Sequence, residues 1–420
     1  MLSPLFRRVV VAAVAIGLAP AVRAEEPKAA DLRSRMQAFV DQGELAGAVT
    51  VVGRKSGVVS HEAFGKLRLD GDAPMPKDAI FRIASMTKPI TAIGVMMLAE
   101  EGKLSVDDPV EKHLPEFRGQ MLVAERKEGT VTLKKSPRPI TLRDLLTHTS
   151  GLPGGPPVGL SDLYAKRNHT LAEGVMAFSQ MPLTFEPGSK WSYCNTGIDT
   201  LGRVIEVASG MSYEGFLLSR VFEPLGMNDT TFNLTAAQLA RVPPIYNRIN
   251  GRLVVESKTI IGPPPGEPPM QNRPYLVWNI QQFSIARYPI PAGGLYSTGP
   301  DLAKLYTAML NGGALGKTQI LSAKSVAEMT KVHTGELQAG FTPGMGWGLG
   351  WGVVKEPKGV TAMLSPGTFG HGGAFGTQGW IDPKQDLFVV LLIQRVGIPN
   401  SDASKMRQEL QAAVVEMVRK

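Results

Sequence analysis

An α/β layer closed by the two ends of the chain around an inserted, mainly helical region is the fold class this sequence predicts, and three observations predict it. Strand patterns cluster near both ends, helix patterns fill the stretch between them, and an amphipathic helix follows the last strand. The pattern places the α/β part at about 25–84 and 290–420, the helical part at about 85–260, and a proline-rich surface segment at about 260–291.

In chain order, residues 1–24 read as an export signal. Arg7-Arg8 forms a positive start, residues 9–18 an apolar run, and Val22-Arg23-Ala24 a small-residue cleavage site. Cleavage after Ala24 is expected, with the mature chain in the periplasm or secreted. The apolar run is about half of the roughly 20 residues that span a bilayer, so no stable membrane span is expected after cleavage. Leu32, Met36, Phe39 and Val40 then recur at helical spacing, and residues 45–52 and 57–64 read as two strands joined by a glycine-containing turn. Residues 81–83 lead into Ser85, and 90–100 are helical until Gly102 stops them. Further helices are expected over 142–146, 171–178, 196–208 and 213–221. Pro263-Pro264-Pro265 and Pro268-Pro269 cannot hold a ladder or a helix, so their segment should run extended over the surface. Strands are expected over 347–354, 376–381 and 387–393, and a helix over 403–418.

Composition narrows the function classes. The chain is 43% hydrophobic and 20% charged, an ordinary globular balance for 420 residues. Of the formal charge of +8, three come from Arg7, Arg8 and Arg23. The remainder has no dense Lys/Arg block or aromatic-basic interleaving, so a nucleic-acid partner is not expected. Cys194 is the single cysteine, which excludes an intrachain disulfide, and the signal has no cysteine to carry a lipid. His61-Glu62 is followed by Phe64-Gly65 where an H-E-x-x-H motif would need its second histidine, so neither a metal nor another cofactor is expected.

A serine hydroxyl attacks only when a neighbour takes its proton. No G-x-S-x-G occurs, which removes the nucleophile elbow of α/β-hydrolases, but Ser85-Met86-Thr87-Lys88 is the one S-x-x-K. If Ser85 opens the helix that follows, three residues of advance bring Lys88 round to its face, and the first-turn amides point at the serine. Alone this motif is weak, since roughly one such pair is expected by chance and a capping serine beside a surface lysine would look the same. Two more segments strengthen it: Tyr193-Cys194-Asn195, the one Y-x-N, and Gly370-His371-Gly372-Gly373 just before an expected strand.

The order S-x-x-K, Y-x-N and a [K/H]-[T/S/G]-G triplet resembles the signature of penicillin-binding proteins, class C β-lactamases and their carboxylesterase and D-amino-acid-specific peptidase relatives. The resemblance extends through Leu145-Leu146-Thr147-His148-Thr149-Ser150-Gly151-Leu152 and Ala292-Gly293-Gly294-Leu295-Tyr296-Ser297-Thr298 and covers nearly all of the mature chain. It implies the β-lactamase/DD-peptidase-like fold, an antiparallel sheet flanked by helices with an inserted helical domain. It also implies that Ser85 is acylated, that Lys88 and Tyr193 handle its proton, and that Asn195 orients the lysine and the substrate. The backbone N–H groups of Ser85 and Ala374, the latter just after Gly372-Gly373, would form the oxyanion hole. Which of Lys88 and Tyr193 accepts the proton is left open by the sequence.

Two departures bear on the substrate. Relatives that take β-lactams usually carry lysine where this chain has His371, and Thr or Ser where it has Gly372, which removes a fixed charge and a hydroxyl that would meet a substrate carboxylate. A small-molecule or peptide-like acyl substrate is expected, with a carboxylesterase-like serine hydrolase ahead of a D-amino-acid-specific peptidase or DD-carboxypeptidase, a β-lactamase, and a non-catalytic penicillin-binding sensor.

Overall fold

The computed structural model describes residues 27–256 and 288–419. The expected signal and most of the proline-rich segment lie outside the described residues. The main sheet holds β1 (Gly47–Arg54), β2 (Gly57–Gly65), β3 (Met345–Trp347), β4 (Gly352–Val354), β5 (Phe369–Gly372), β6 (Gln378–Asp382) and β7 (Leu387–Leu392). It is antiparallel throughout, in the order β3-β4-β5-β6-β7-β1-β2. The helices that matter for the site are α1 (Pro27–Asp41), α2 (Thr87–Glu100), α3 (Leu142–Leu146), α4 (Leu171–Ser179), α5 (Asn195–Ser209), α6 (Tyr213–Leu217), α7 (Gly299–Leu310) and α8 (Lys405–Arg419).

The central strands β1 and β7 are apolar on both faces because both faces are covered. Leu32 and Met36 of α1 and Leu410 and Val414 of α8 pack with Val52, Val389 and Leu391 on one side. Leu302, Leu305 and Tyr306 of α7 pack with Val49, Val51 and Val390 on the other. A Cβ at Gly379 would stand 2.0 Å from the Tyr306 hydroxyl, so glycine is what lets α7 lie close to β6. In the helical part α2 is the hub, and its apolar all-round sequence fits that position: every residue from Thr87 to Leu98 is buried. Capping boxes start α3, at Thr141 and Asp144, and α4, at Thr170 and Glu173.

Four local expectations change. Residues 347–354 are two short strands, because Gly350 turns at φ +81° and its N–H reaches the Leu146 carbonyl at 3.0 Å, while Trp351 sinks into the core. The helix expected over 213–221 ends at Leu217 and continues as one π-helical turn, Leu218–Phe222. His371 lies within a strand of its own, β5, rather than ahead of one. Two hairpins, Met121–Lys127 with Thr130–Lys135 and Tyr246–Ile249 with Arg252–Val255, interrupt the stretch read as helical. Their mostly exposed strands bury too little to leave a hydrophobic alternation.

Candidate active site

The segment before α2 carries the first two residues. Ala84 adopts φ +46°, a left-handed conformation rare for a residue with a Cβ, and begins the 3-10 turn Ala84–Met86 that holds Ser85. Ser85 therefore precedes α2 instead of occupying its first turn, yet the rise of one turn still brings Lys88 to it: Lys88 Nζ donates to Ser85 Oγ at 3.1 Å. The same ammonium donates to the Ala292 carbonyl at 2.6 Å and lies 4.6 Å from the centre of the Tyr193 ring. Burial pulls the Lys88 pKa down to about 7, with the charge of Asp199 opposing it. Burial pushes the Tyr193 phenol well above its ordinary value, while the neighbouring Ser85 hydroxyl acts the other way.

Tyr193 is set in place by residues 148–154. The Ser192 N–H donates to the His148 carbonyl at 2.9 Å, the Cys194 N–H donates to His148 Nδ1 at 3.2 Å, and the Asn195 N–H donates to the Gly154 carbonyl at 3.2 Å. His148 is itself left-handed, φ +59°, and its ring centroid lies 4.6 Å from that of Tyr193. Cys194 is buried and free, and its sulfur caps α5 by accepting from the Gly197 N–H at 3.3 Å.

The end of β5 closes the other side. The Gly373 N–H donates to the Thr377 carbonyl at 2.7 Å, and the Thr377 hydroxyl donates to the Ile83 carbonyl at 3.2 Å, which ties this turn to the segment before Ser85. A Cβ on Gly373 would stand 2.6 Å from the Ile83 carbonyl, so only glycine permits this approach. Ala374 is exposed at the rim. Among the described residues, neither its N–H nor that of Ser85 has a protein acceptor, the state an oxyanion hole needs.

The structure thus brings together Ser85, Lys88, Tyr193 and the Gly373-Ala374 turn. It does not join Asn195 to Lys88, since among the described residues the Asn195 amide makes no hydrogen bond to the lysine. The sequence reading missed what does hold Lys88. The Ala292 N–H donates to Asp199 Oδ1 at 2.8 Å, so the carboxylate and the ammonium grip opposite ends of one residue's backbone. Tyr164 and Tyr288 each donate to Asp199 Oδ2 at 2.8 Å. Burial raises the Asp199 pKa, and those donors and the Lys88 charge work against the rise. The signal was present one turn beyond Asn195: Asp199 is an acid flanked on the buried face of α5 by Ile198 and Leu201.

An unperturbed imidazole titrates at about 6.5, but at His371 burial and the nearby Lys88 charge lower the pKa to about 3. It is 3% exposed, and its Nδ1 meets the Gly372 carbonyl at 2.6 Å. It is therefore neutral at every ordinary assay pH. A lysine put here would have to bury a second ammonium beside Lys88. Trp191, Phe341 and Trp347 complete an aromatic wall around Tyr193, with ring centroids 5.0–6.3 Å from it. Arranged in this way, the residues can activate a hydroxyl, hold an oxyanion and protonate a leaving group.

The family model described as Beta-lactamase matches residues 32–414. Protein Rv1367c of Mycobacterium tuberculosis is 32% identical over 381 residues, which is 87% of this chain and 89% of the relative. Esterase EstB of Burkholderia gladioli is 31% identical over 383 residues, 87% of this chain and 91% of the relative. Among solved structures, EstCE1, a hydrolase with promiscuous acyltransferase activity, superposes with a TM-score of 0.73 at 24% identity, over 93% of this chain and 98% of its own. The chain belongs to the Beta-lactamase family and is a serine hydrolase with that family's fold.

Proposed function

We propose that the protein hydrolyses carboxylic esters that carry no carboxylate group, through an acyl-enzyme on Ser85. The observation that carries this reading is the third motif: a buried, neutral His371 and a bare Gly372 offer neither the charge nor the hydroxyl that would receive a substrate carboxylate. The similarity to an enzyme named as an esterase supports it. Ser85 Oγ attacks the carbonyl carbon and Lys88, whose pKa of about 7 supplies a neutral amine near neutral pH, takes the proton. The Ser85 and Ala374 N–H groups receive the oxyanion, and Tyr193, whose phenol keeps its proton, relays one to the departing alkoxide. Water then attacks the acyl group by the reverse route and frees Ser85. Export of the mature chain after Ala24 would place this activity in the periplasm or outside the cell.

The test compares p-nitrophenyl butyrate, a D-alanyl-D-alanine peptide and benzylpenicillin. The ester should give the highest kcat/KM, and its ratio to the penicillin should stay flat from about pH 5 to 8, since His371 does not titrate there. A faster penicillin or peptide, or a ratio that swings toward penicillin with acid, contradicts the reading.

Asp199 enters the same mechanism as a positioning residue. Its negative charge holds the Lys88 pKa up, against burial, beside the Tyr193 phenol, the Cys194 thiol and the imidazoles of His148 and His371. Asp199→Asn keeps the shape and removes the charge. The ammonium then loses stabilisation, so the Lys88 limb of the kcat/KM profile should move toward acid by roughly one unit or more. A uniform loss of rate with an unmoved limb would show that Asp199 serves packing alone.

A further inference from the structure

Residues 145–152 stand out in the sequence, and the steps above give them no chemical part. At their centre the chain turns through His148 at φ +59°, a conformation that most side chains avoid and that asparagine, aspartate and histidine adopt more readily. The bend is pinned from both sides. The hydroxyls of Thr147 and Thr149 meet at 2.8 Å across it, the Thr147 hydroxyl also donates to the Arg143 carbonyl at 2.8 Å, and the Thr149 N–H donates to the Asp144 carbonyl at 2.9 Å. Backbone strain over-determined in this way is characteristic of positions that a site makes use of.

The bend directs two acceptors of one residue at the backbone that carries the phenol. The N–H just before Tyr193, that of Ser192, donates to the His148 carbonyl, and the N–H just after it, that of Cys194, donates to His148 Nδ1. Tyr193 is thus tethered on both sides by His148, whose ring also packs against it, and the contact of its phenol with the Ser85 hydroxyl depends on that tether. The second bond fixes the state of the imidazole. A backbone N–H can only donate, so Nδ1 carries a lone pair and the proton of the neutral ring sits on Nε2. Burial, with Lys88 and His371 facing the ring, holds the His148 pKa well below its ordinary value and keeps that lone pair free for Cys194. Nε2 has no hydrogen-bond partner among the described residues, so the ring's polar contribution is the Nδ1 acceptor alone.

Resting on the reading of Tyr193 as the donor to the departing alkoxide, we infer that His148 is the positioning residue that aims the Tyr193 phenol, and that asparagine is the residue able to replace it. Asparagine tolerates the left-handed backbone and carries Oδ1 at the same remove from its Cβ as Nδ1. Glycine accepts the conformation too, but leaves the Cys194 N–H without its acceptor. Because the phenol serves the leaving group, misplacing it should slow most the esters whose alkoxide is a strong base and needs a proton to depart, and least those that release a stable phenolate.

The experiment measures kcat/KM for ethyl butyrate and p-nitrophenyl butyrate in wild type, Tyr193→Phe, His148→Gly and His148→Asn. His148→Gly should lose roughly 100-fold with the ethyl ester and under about tenfold with the nitrophenyl ester, shifting the ratio in the same sense as Tyr193→Phe. His148→Asn should recover most of the ethyl-ester loss. Added to Tyr193→Phe, His148→Gly should slow the reaction by under about threefold more, since no phenol is left to aim. Equal losses on the two esters, no rescue by asparagine, or the full loss repeated in the Tyr193→Phe background overturn the inference. Should His148→Gly fail to fold, His148→Gln, which keeps the volume but carries its acceptor one methylene farther out, takes its place with the same expectations. If Tyr193→Phe itself slows both esters alike, the leaving-group reading of Tyr193 falls, and the size of the further loss in that background still decides for or against His148. If neither ester is turned over, the ester reading falls and ¹⁵N NMR of the His148 ring decides: the Nε2–H tautomer from about pH 5 to 8 supports the tether, and an Nδ1–H or charged ring overturns it.

Discussion

Lys88→Ala and Tyr193→Phe should each slow acylation by on the order of 10³-fold, and the double variant should be scarcely slower than the worse single. The reason is geometric. Lys88 Nζ lies 3.1 Å from Ser85 Oγ and 4.6 Å from the Tyr193 ring centre, so both side chains act on one proton path. Once either is gone the path is broken, and removing the other costs little more. The two variants should differ in pH dependence. Tyr193→Phe keeps the limb set by Lys88, whose pKa burial brings to about 7, while Lys88→Ala should abolish it. Losses that add in the logarithm of the rate would mean that the two groups serve separate steps. Because Lys88 is wholly buried with its charge balanced by Asp199, Lys88→Met, which fills the same volume without a charge, guards against a loss caused by a cavity.

Much of this site was legible because the chemistry needs particular residue types at short spacing. Ser85 and Lys88 are one turn apart in sequence and meet in space, and Tyr193 and the Gly372-Gly373 pair belong to segments whose order is itself a signature. What stayed illegible acts through backbone atoms or through tertiary neighbours. The Ala292 carbonyl that holds Lys88 could come from any residue, so the Ala292-Gly293-Gly294 segment could be noticed but not given a role. The depressed pKa of His371 depends on burial and on Lys88, distant by 283 positions, and the side chain over Gly372 comes from Asp402 in a different element. In the fold, the apolar runs of β1 and β7 and the periodic α1 and α8 announced themselves. The break between β3 and β4 did not, because Gly348 and Gly350 lie inside a run of aromatic and aliphatic residues that reads as one strand, and the turn is fixed by contacts of Gly350 with α2 and the Leu146 carbonyl.

Ser85→Ala should reduce ester turnover by on the order of 10³-fold or more, since the oxyanion donors and the proton path remain but nothing is left to attack. The substitution is small, at a half-buried side chain, and keeps the left-handed Ala84 and the 3-10 turn, so folding should be unchanged. The backbone N–H of residue 85 also survives, and residual activity from the oxyanion donors alone is therefore expected at a low level. The direct measurement is the intact mass of the protein after brief exposure to a fluorophosphonate and, separately, to p-nitrophenyl butyrate quenched in acid. Wild type should gain one phosphonyl or one butyryl group, mapped by peptide sequencing to the segment holding Ser85, and Ser85→Ala should gain neither. A label or an acyl group that persists in Ser85→Ala, or that maps to any other serine in wild type, would contradict the account.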